Sequence, residues 1–200
     1  FAVLSRDEDG RIYQAGESAH GDELSFDCSY NTVEFSFGPT ENLNEVLERF
    51  TRYYSFLKDE LLRRGHTVTG MGVNPRWRVN RAEPIKSSRY RMLLRYLQSY
   101  PKYQRALPFH CWPHFGLFSC ASQVQLDVDE STALQAVNAF PLLEPFKSVL
   151  FANSPFGNRF GLLCARDYFW RDSLHGLNPH NCDLYRLPFH RLKDIRSYLT

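Results

Sequence analysis

The chain has 200 residues, a formal charge of +2, and 43% hydrophobic and 23% charged residues, a composition that suits a globular protein and excludes an extensively disordered one. A charge this small does not by itself require a polyanionic partner, so any basic site must be local. No apolar run is long enough to span a membrane and no leader-like segment precedes one; five cysteines (28, 111, 120, 164 and 182) without a CxxC pair argue against a disulfide framework or a cysteine zinc site.

The expected protein is therefore cytoplasmic, without a membrane partner, and its cysteines are expected to be buried thiols. It opens at Phe1 rather than Met and closes at Thr200 within what reads as a helix, so the expectation is one piece of a longer domain, truncated at both ends. Phe1-Ala2-Val3-Leu4-Ser5, the turn Asp7-Glu8-Asp9-Gly10 and Arg11-Ile12-Tyr13 read as a hairpin.

Leu24 to Gly38 places Asp27 and Glu34 inside a β-prone run in which Val33, Phe35 and Phe37 alternate with Glu34 and Ser36. A reversal at Tyr30-Asn31 would pair Ser29 with Thr32 and set Asp27 directly opposite Glu34. Two like charges so placed are tolerable with a hard cation between them, and oxygen ligands of this kind suit Mg²⁺. A solvent-facing hairpin with two ordinary surface acids fits the pattern equally.

Thr40 or Asn42 can cap a helix in which Leu43, Val46, Leu47, Phe50, Tyr53, Tyr54, Leu57 and Leu61 form a core stripe up to Arg64, with Gly65 as its stop. His66 to Val73 is expected to form a strand ending at Asn74-Pro75. The next stretch carries Arg76, Arg78, Arg81, Lys86, Arg89 and Arg91 around Trp77, and leads into a helix over 88–100 whose expected buried face is Met92, Leu93, Tyr96 and Leu97. Guanidinium groups at such a junction suit phosphate or carboxylate, although a solvated basic face is the commoner meaning of such a run.

His110 and His114 are four apart, but Pro113 prevents the helical turn that would bring both to one zinc ion. Ser119 to Val128 alternates Ser122, Val124, Leu126 and Val128 with Gln123, Gln125 and Asp127, the pattern of a strand with one core face and one polar face. Ser131 to Phe140 reads as a helix interrupted at Pro141, followed by a second apolar helix to Phe151. Leu162 to Ala165 reads as a buried strand delivering Arg166 to a long loop that contains Trp170.

Several of these segments together, in order, resemble the catalytic domain of glutamate–cysteine ligase, closest to the plant-type enzymes and the bacterial enzymes fused to a glutathione-forming domain. They are Asp27 with Glu34 in DCSYNTVEFSFG, the run GMGVNPRWRVNRAEPIKSSRYRML, SCASQVQLDV, LFANSPF, and Arg166 with Trp170. The resemblance implies an α+β, glutamine synthetase-like fold: an antiparallel sheet with helices packed on one face, holding Mg²⁺ and ATP on the other. It implies an ATP-dependent ligase of glutathione biosynthesis, with glutamate, cysteine and ATP as substrates and a γ-glutamyl phosphate intermediate.

On that resemblance Asp27, Glu34 and Gln123 are the metal ligands. Arg89 and Arg166 contact phosphate or substrate carboxylate, and Asn74 and Trp170 line the substrate site. The family's further metal-binding glutamates have no counterpart in Phe1 to Gly21, so the 200 residues alone are expected to be inactive or nearly so. Two alternatives stay open: a ligase of the same fold that uses another amine, and a nucleic-acid-binding module built on Arg76 to Arg95. The glutamate–cysteine ligase reading is favoured over the nucleic-acid module, which leaves Asp27 and Glu34 unexplained, so no nucleic-acid partner is expected.

Overall fold

The computed structural model describes residues 1–80, 83–101, 112–156, 161–182 and 188–199. Arg81, His110 and Cys111 lie outside the described residues. The chain divides into two compact units, one of Phe1–Arg95 with His114–Ser119 and one of Tyr96–Pro113 with Cys120–Thr200.

The first unit is built on an antiparallel sheet in sequence order, β1 (Val3–Arg6), β2 (Ile12–Gly16), β3 (Glu23–Phe26) and β4 (Val33–Ser36). The expected first hairpin forms. Asp7 makes its turn by accepting the N–H groups of Asp9 and Arg11, each at 2.9 Å, while Gly10 takes the positive φ of 78° that an L side chain resists.

The register aligns Ser5, Gln14, Ser25 and Glu34 across one face, and Leu4, Ala15, Leu24 and Phe35 across the other. The apolar face carries the helices. Phe35 and Phe37 meet Phe50 and Tyr53 of α1 (Leu43–Arg63), with ring centroids 5.9–6.5 Å apart. Phe26 and Tyr13 pack on a cluster of Cys28, Ile85, Leu117 and Tyr90, the last from α2 (Ser88–Gln98).

Helix α1 starts and stops as its signals require: the Asn42 side chain accepts the N–H of Asn44, and Gly65 follows with φ 74°. Its expected core stripe is corrected, since Leu43 and Leu47 are 81% and 61% exposed and the buried residue is Arg49. Arg49 is buried because Asp22 is. The Asp22 carboxylate is fully enclosed and accepts Arg49 Nη1 at 2.6 Å, the Tyr53 hydroxyl at 2.8 Å and the Gly38 N–H at 2.9 Å.

In α2 the buried stripe is rotated from the expected one. Tyr90 and Leu97 are buried and Leu93 packs on the cluster, whereas Met92 and Tyr96 are exposed. His66 to Val73 forms no strand; Val73 alone makes an isolated bridge to Ser119.

The strand expected over Ser119 to Val128 does not form either: Ser119, in the first unit, makes only the bridge to Val73, and the rest lies in the second unit. Cys120 to Val128 lies outside regular structure, with Val124 84% exposed, so the expected core face is not one. Helix α3 (Glu130–Phe151) is capped by Asp129 and runs through both Pro141 and Pro145. Each proline removes one N–H donor without ending the helix. None of its residues is buried.

Phe156 packs edge-on against Phe169 of α4 (Ala165–Arg171), at 4.8 Å between ring centroids. Helix α5 (Leu192–Leu199) follows Phe189, whose backbone N–H and C=O both bond the Asn138 side chain of α3 at 2.8 Å. Of the described cysteines only Cys28 is buried, and none is in a disulfide. No helix among the described residues is long and apolar enough to cross a membrane.

Candidate functional site

The first unit gathers Asp27, Glu34 and Arg89 around one turn. Asp27 follows the last residue of β3, and its N–H donates to the Thr32 carbonyl at 3.0 Å. The ladder pairs Phe26 with Val33 and Ser25 with Glu34. The expected register, with Asp27 directly opposite Glu34, is thus corrected by two residues.

The cause lies in the turn. Cys28 has φ 58°, and the N–H of Ser29 closes back onto the Asp27 carbonyl at 2.6 Å. Ser29 is thereby drawn out of the hairpin, bridging Pro84 and donating its hydroxyl to the Leu117 carbonyl at 2.9 Å. It is no longer free to pair with Thr32 as a strand residue.

Beyond Glu34 the polar face continues. Glu23 aligns with Ser36, Gln14 Nε2 donates to Glu23 at 2.9 Å, and the Ser36 hydroxyl lies 3.4 Å from Glu34 Oε1. Glu23 was not singled out from the sequence, yet the signal existed: Glu23, Ser25 and Asp27 alternate with Leu24 and Phe26.

The Cys28 thiol senses all three charged groups. Burial pushes its pKa up to about 12, with the Asp27 charge and hydrogen bond adding to the rise, Arg89 opposing it and Glu34 contributing in the same direction as Asp27. Burial likewise raises Tyr90, with Asp27 adding and Arg89 opposing. Two carboxylates and a guanidinium therefore act within one small electrostatic neighbourhood.

The turn Asp7-Glu8-Asp9 sorts the basic run. Lys86 Nζ sits 2.7 Å from Asp9, Arg91 is paired with Glu8, and the Glu8 N–H donates to the Lys86 carbonyl at 3.1 Å. Asp7 itself is held by the Tyr30 hydroxyl at 2.8 Å. Burial works to raise the Asp7 pKa, but that hydroxyl and the N–H groups of Arg11 and Asp9 outweigh it and lower the pKa overall. Arg89 makes no ion pair among the described residues; it is exposed, with its guanidinium 5.5 Å from the Tyr90 ring centroid.

The other expected site residues are differently placed. Asn74 is a turn anchor: Oδ1 accepts the Arg76 N–H at 2.8 Å, and its own N–H donates to Phe118 at 2.8 Å. Gln123, Arg166 and Trp170 belong to the second unit. Gln123 is exposed in the unpaired segment. Arg166 lies in the first turn of α4 rather than at a strand end, because Ala165 already donates its N–H to Ser154 and begins the helix. Trp170 is half-buried, its ring 5.5 Å from His175.

The family model of glutamate-cysteine ligase family 2 matches residues 1–200. The chain belongs to that family. Among curated proteins, the chloroplastic glutamate–cysteine ligases of Brassica juncea and Medicago truncatula are 27% and 25% identical to it over 143 residues, 70% of this chain. That of Arabidopsis thaliana is 27% identical over 150 residues. The matched stretch covers only 26–27% of those relatives, so the chain spans about a quarter of their length. No solved structure matches. Membership of glutamate-cysteine ligase family 2 agrees with the motif resemblance, and the Asp27–Glu34 turn lies in the first of those motifs.

Proposed function

We propose that this chain is part of an ATP-dependent ligase that joins the γ-carboxylate of glutamate to the amine of cysteine in glutathione biosynthesis. The observation that carries the reading is the gathering of Asp27, Glu34 and Arg89 about the Cys28 turn in a member of this family. The reaction needs that combination. The γ-phosphoryl group of ATP moves to a glutamate carboxylate oxygen and ADP leaves; the cysteine amine then attacks the acyl carbon, loses its proton, and phosphate departs.

An anionic nucleophile and an anionic phosphoryl group repel, so acids for a cation and a guanidinium for phosphoryl oxygens are the parts required. Asp27 and Glu34 fit Mg²⁺. They offer hard oxygen donors, and both act on the Cys28 thiol, which places them in one electrostatic neighbourhood. Two carboxylates completed by water and substrate phosphates is how Mg²⁺ is commonly bound. When bound, Mg²⁺ neutralises charge on the phosphates.

Arg89 takes a phosphoryl or carboxylate oxygen, and its lack of an ion-pair partner among the described residues leaves it available for that contact. On the family resemblance the proposal extends to Gln123 as a neutral metal ligand, to Arg166, Trp170 and Asn74 at the substrate, and to a glutamine synthetase-like arrangement of the whole domain. A sheet with helices on its apolar face and acids on its polar face supports that arrangement.

The test measures ADP release by the full-length protein with Mg²⁺ and ATP, adding glutamate and then cysteine or 2-aminobutyrate, beside Glu34→Gln. Release that needs glutamate plus an α-amino acid is expected, and it is expected to fall sharply in the variant at fixed Mg²⁺, since the substitution removes a charged metal ligand. Absence of release with any amine refutes the reading. Release undiminished in Glu34→Gln removes Glu34 from the metal.

A further inference from the structure

The residue between Asp27 and the core is unusual in its backbone and in its side chain. Cys28 holds φ 58°, in the left-handed region, where a Cβ is disfavoured and glycine is the usual occupant. The bond from the Ser29 N–H to the Asp27 carbonyl at 2.6 Å makes residues 27–29 a three-residue turn with Cys28 at its centre, a strained form when φ is positive.

Strain of this kind persists only where the surroundings over-determine it. Here they do. The Cys28 carbonyl accepts the Ile85 N–H at 2.9 Å, Ser29 bridges Pro84, the Ser29 hydroxyl is spent on Leu117, and the Thr32 N–H returns to Ser29 at 3.3 Å.

The turn sends the Cys28 side chain inward onto Ile85, Tyr90 and Leu117, yet leaves its thiol 3.4 Å from Asp27 Oδ1. A buried thiol beside a carboxylate has one use for its proton, which is donation. That bond engages Oδ1, one of the two Asp27 carboxylate oxygens.

We infer that Cys28 is a positioning residue: its buried S–H, presented by a strained turn, orients the Asp27 carboxylate for the cation that accompanies the nucleotide. The cation and the nucleotide rest on the ligase reading above; the S–H to carboxylate bond does not. Removing an outer hydrogen bond to a metal ligand commonly weakens metal affinity 10- to 100-fold.

Three variants separate positioning from plain packing. Cys28→Ser keeps a donor, Cys28→Ala removes it and keeps the strain, and Cys28→Gly removes both. In the full-length protein the apparent KM for Mg·ATP is expected to rise about tenfold in both Cys28→Ala and Cys28→Gly, and to stay within about threefold of wild type in Cys28→Ser. Thermal unfolding is expected to rank the variants differently, because glycine relieves the backbone strain and alanine does not.

Independently of turnover, the infrared S–H stretch of Cys28, isolated as wild type minus Cys28→Ser, is expected to lie at lower frequency in wild type than in Asp27→Ala. The inference is overturned if KM follows thermal stability across the variants, if Cys28→Ser is as impaired as Cys28→Ala, or if the S–H band ignores Asp27. If wild type shows no Mg²⁺-dependent turnover while the band shifts, the ligase reading fails and the thiol–carboxylate bond stands.

Discussion

Replacing Arg49 by Met strands the carboxylate of Asp22. In the native unit that carboxylate is fully enclosed and accepts the guanidinium at 2.6 Å, the Tyr53 hydroxyl at 2.8 Å and the Gly38 N–H at 2.9 Å. Without Arg49 it keeps two neutral donors and no countercharge. Breaking a buried pair by removing one partner costs about 3–5 kcal/mol, most of it the penalty of the charge left behind.

For a chain of this size that is roughly 6–20 °C in Tm. The double variant Asp22→Asn with Arg49→Met leaves neither charge, and the amide can still accept from Gly38 and meet Tyr53. It is therefore expected to lose much less than the two single losses added together. Thermal unfolding of the four species followed by circular dichroism completes the cycle. A loss below about 1 kcal/mol for Arg49→Met, or additive losses in the double variant, would refute the idea that this pair fastens α1 to the ends of β3 and β4.

Gly38→Ala is expected to destabilise by about 1–3 kcal/mol, since a Cβ there would sit 1.9 Å from the His20 carbonyl oxygen; denaturant unfolding measures it. Phe169→Ala opens the second unit's aromatic contact with Phe156 at a fully buried position and should cost about 3–5 kcal/mol by the same measurement. Asp129 caps α3, and the hydroxyls of Ser131 and Thr132 together with the Thr132 N–H lower its pKa from 3.8 to about 2. A depressed carboxylate stabilises the fold above its unfolded value and loses that contribution as pH falls through the folded one. The stability difference between wild type and Asp129→Ala should therefore be full above pH 4 and shrink toward pH 2 in an acid titration.

What consecutive residues specify was legible in the sequence. The Asp7 to Gly10 turn, the Asn42 cap and Gly65 stop of α1, and the alternation in β4 each depend on neighbours a few positions away. The family could be read the same way, because its motifs are short and ordered. Asp27, Glu34 and Arg89 were singled out as candidates from local context, and all three act on the Cys28 thiol.

Only the tertiary structure decided the rest. Alternation at Ser119 to Val128 and apolar content at His66 to Val73 suggested strands, but a strand exists only where another backbone accepts its N–H groups, and among the described residues none is supplied beyond one bridge. The hairpin register followed from Ser29 bonding to Leu117, and the sorting of Lys86 and Arg91 away from Arg89 followed from Asp9 and Glu8. Those partners lie about 80 residues away in the chain, and local propensity cannot choose among groups at that separation. Packing of the sheet's apolar face chose them, because it brings the turns and the helix entrance together.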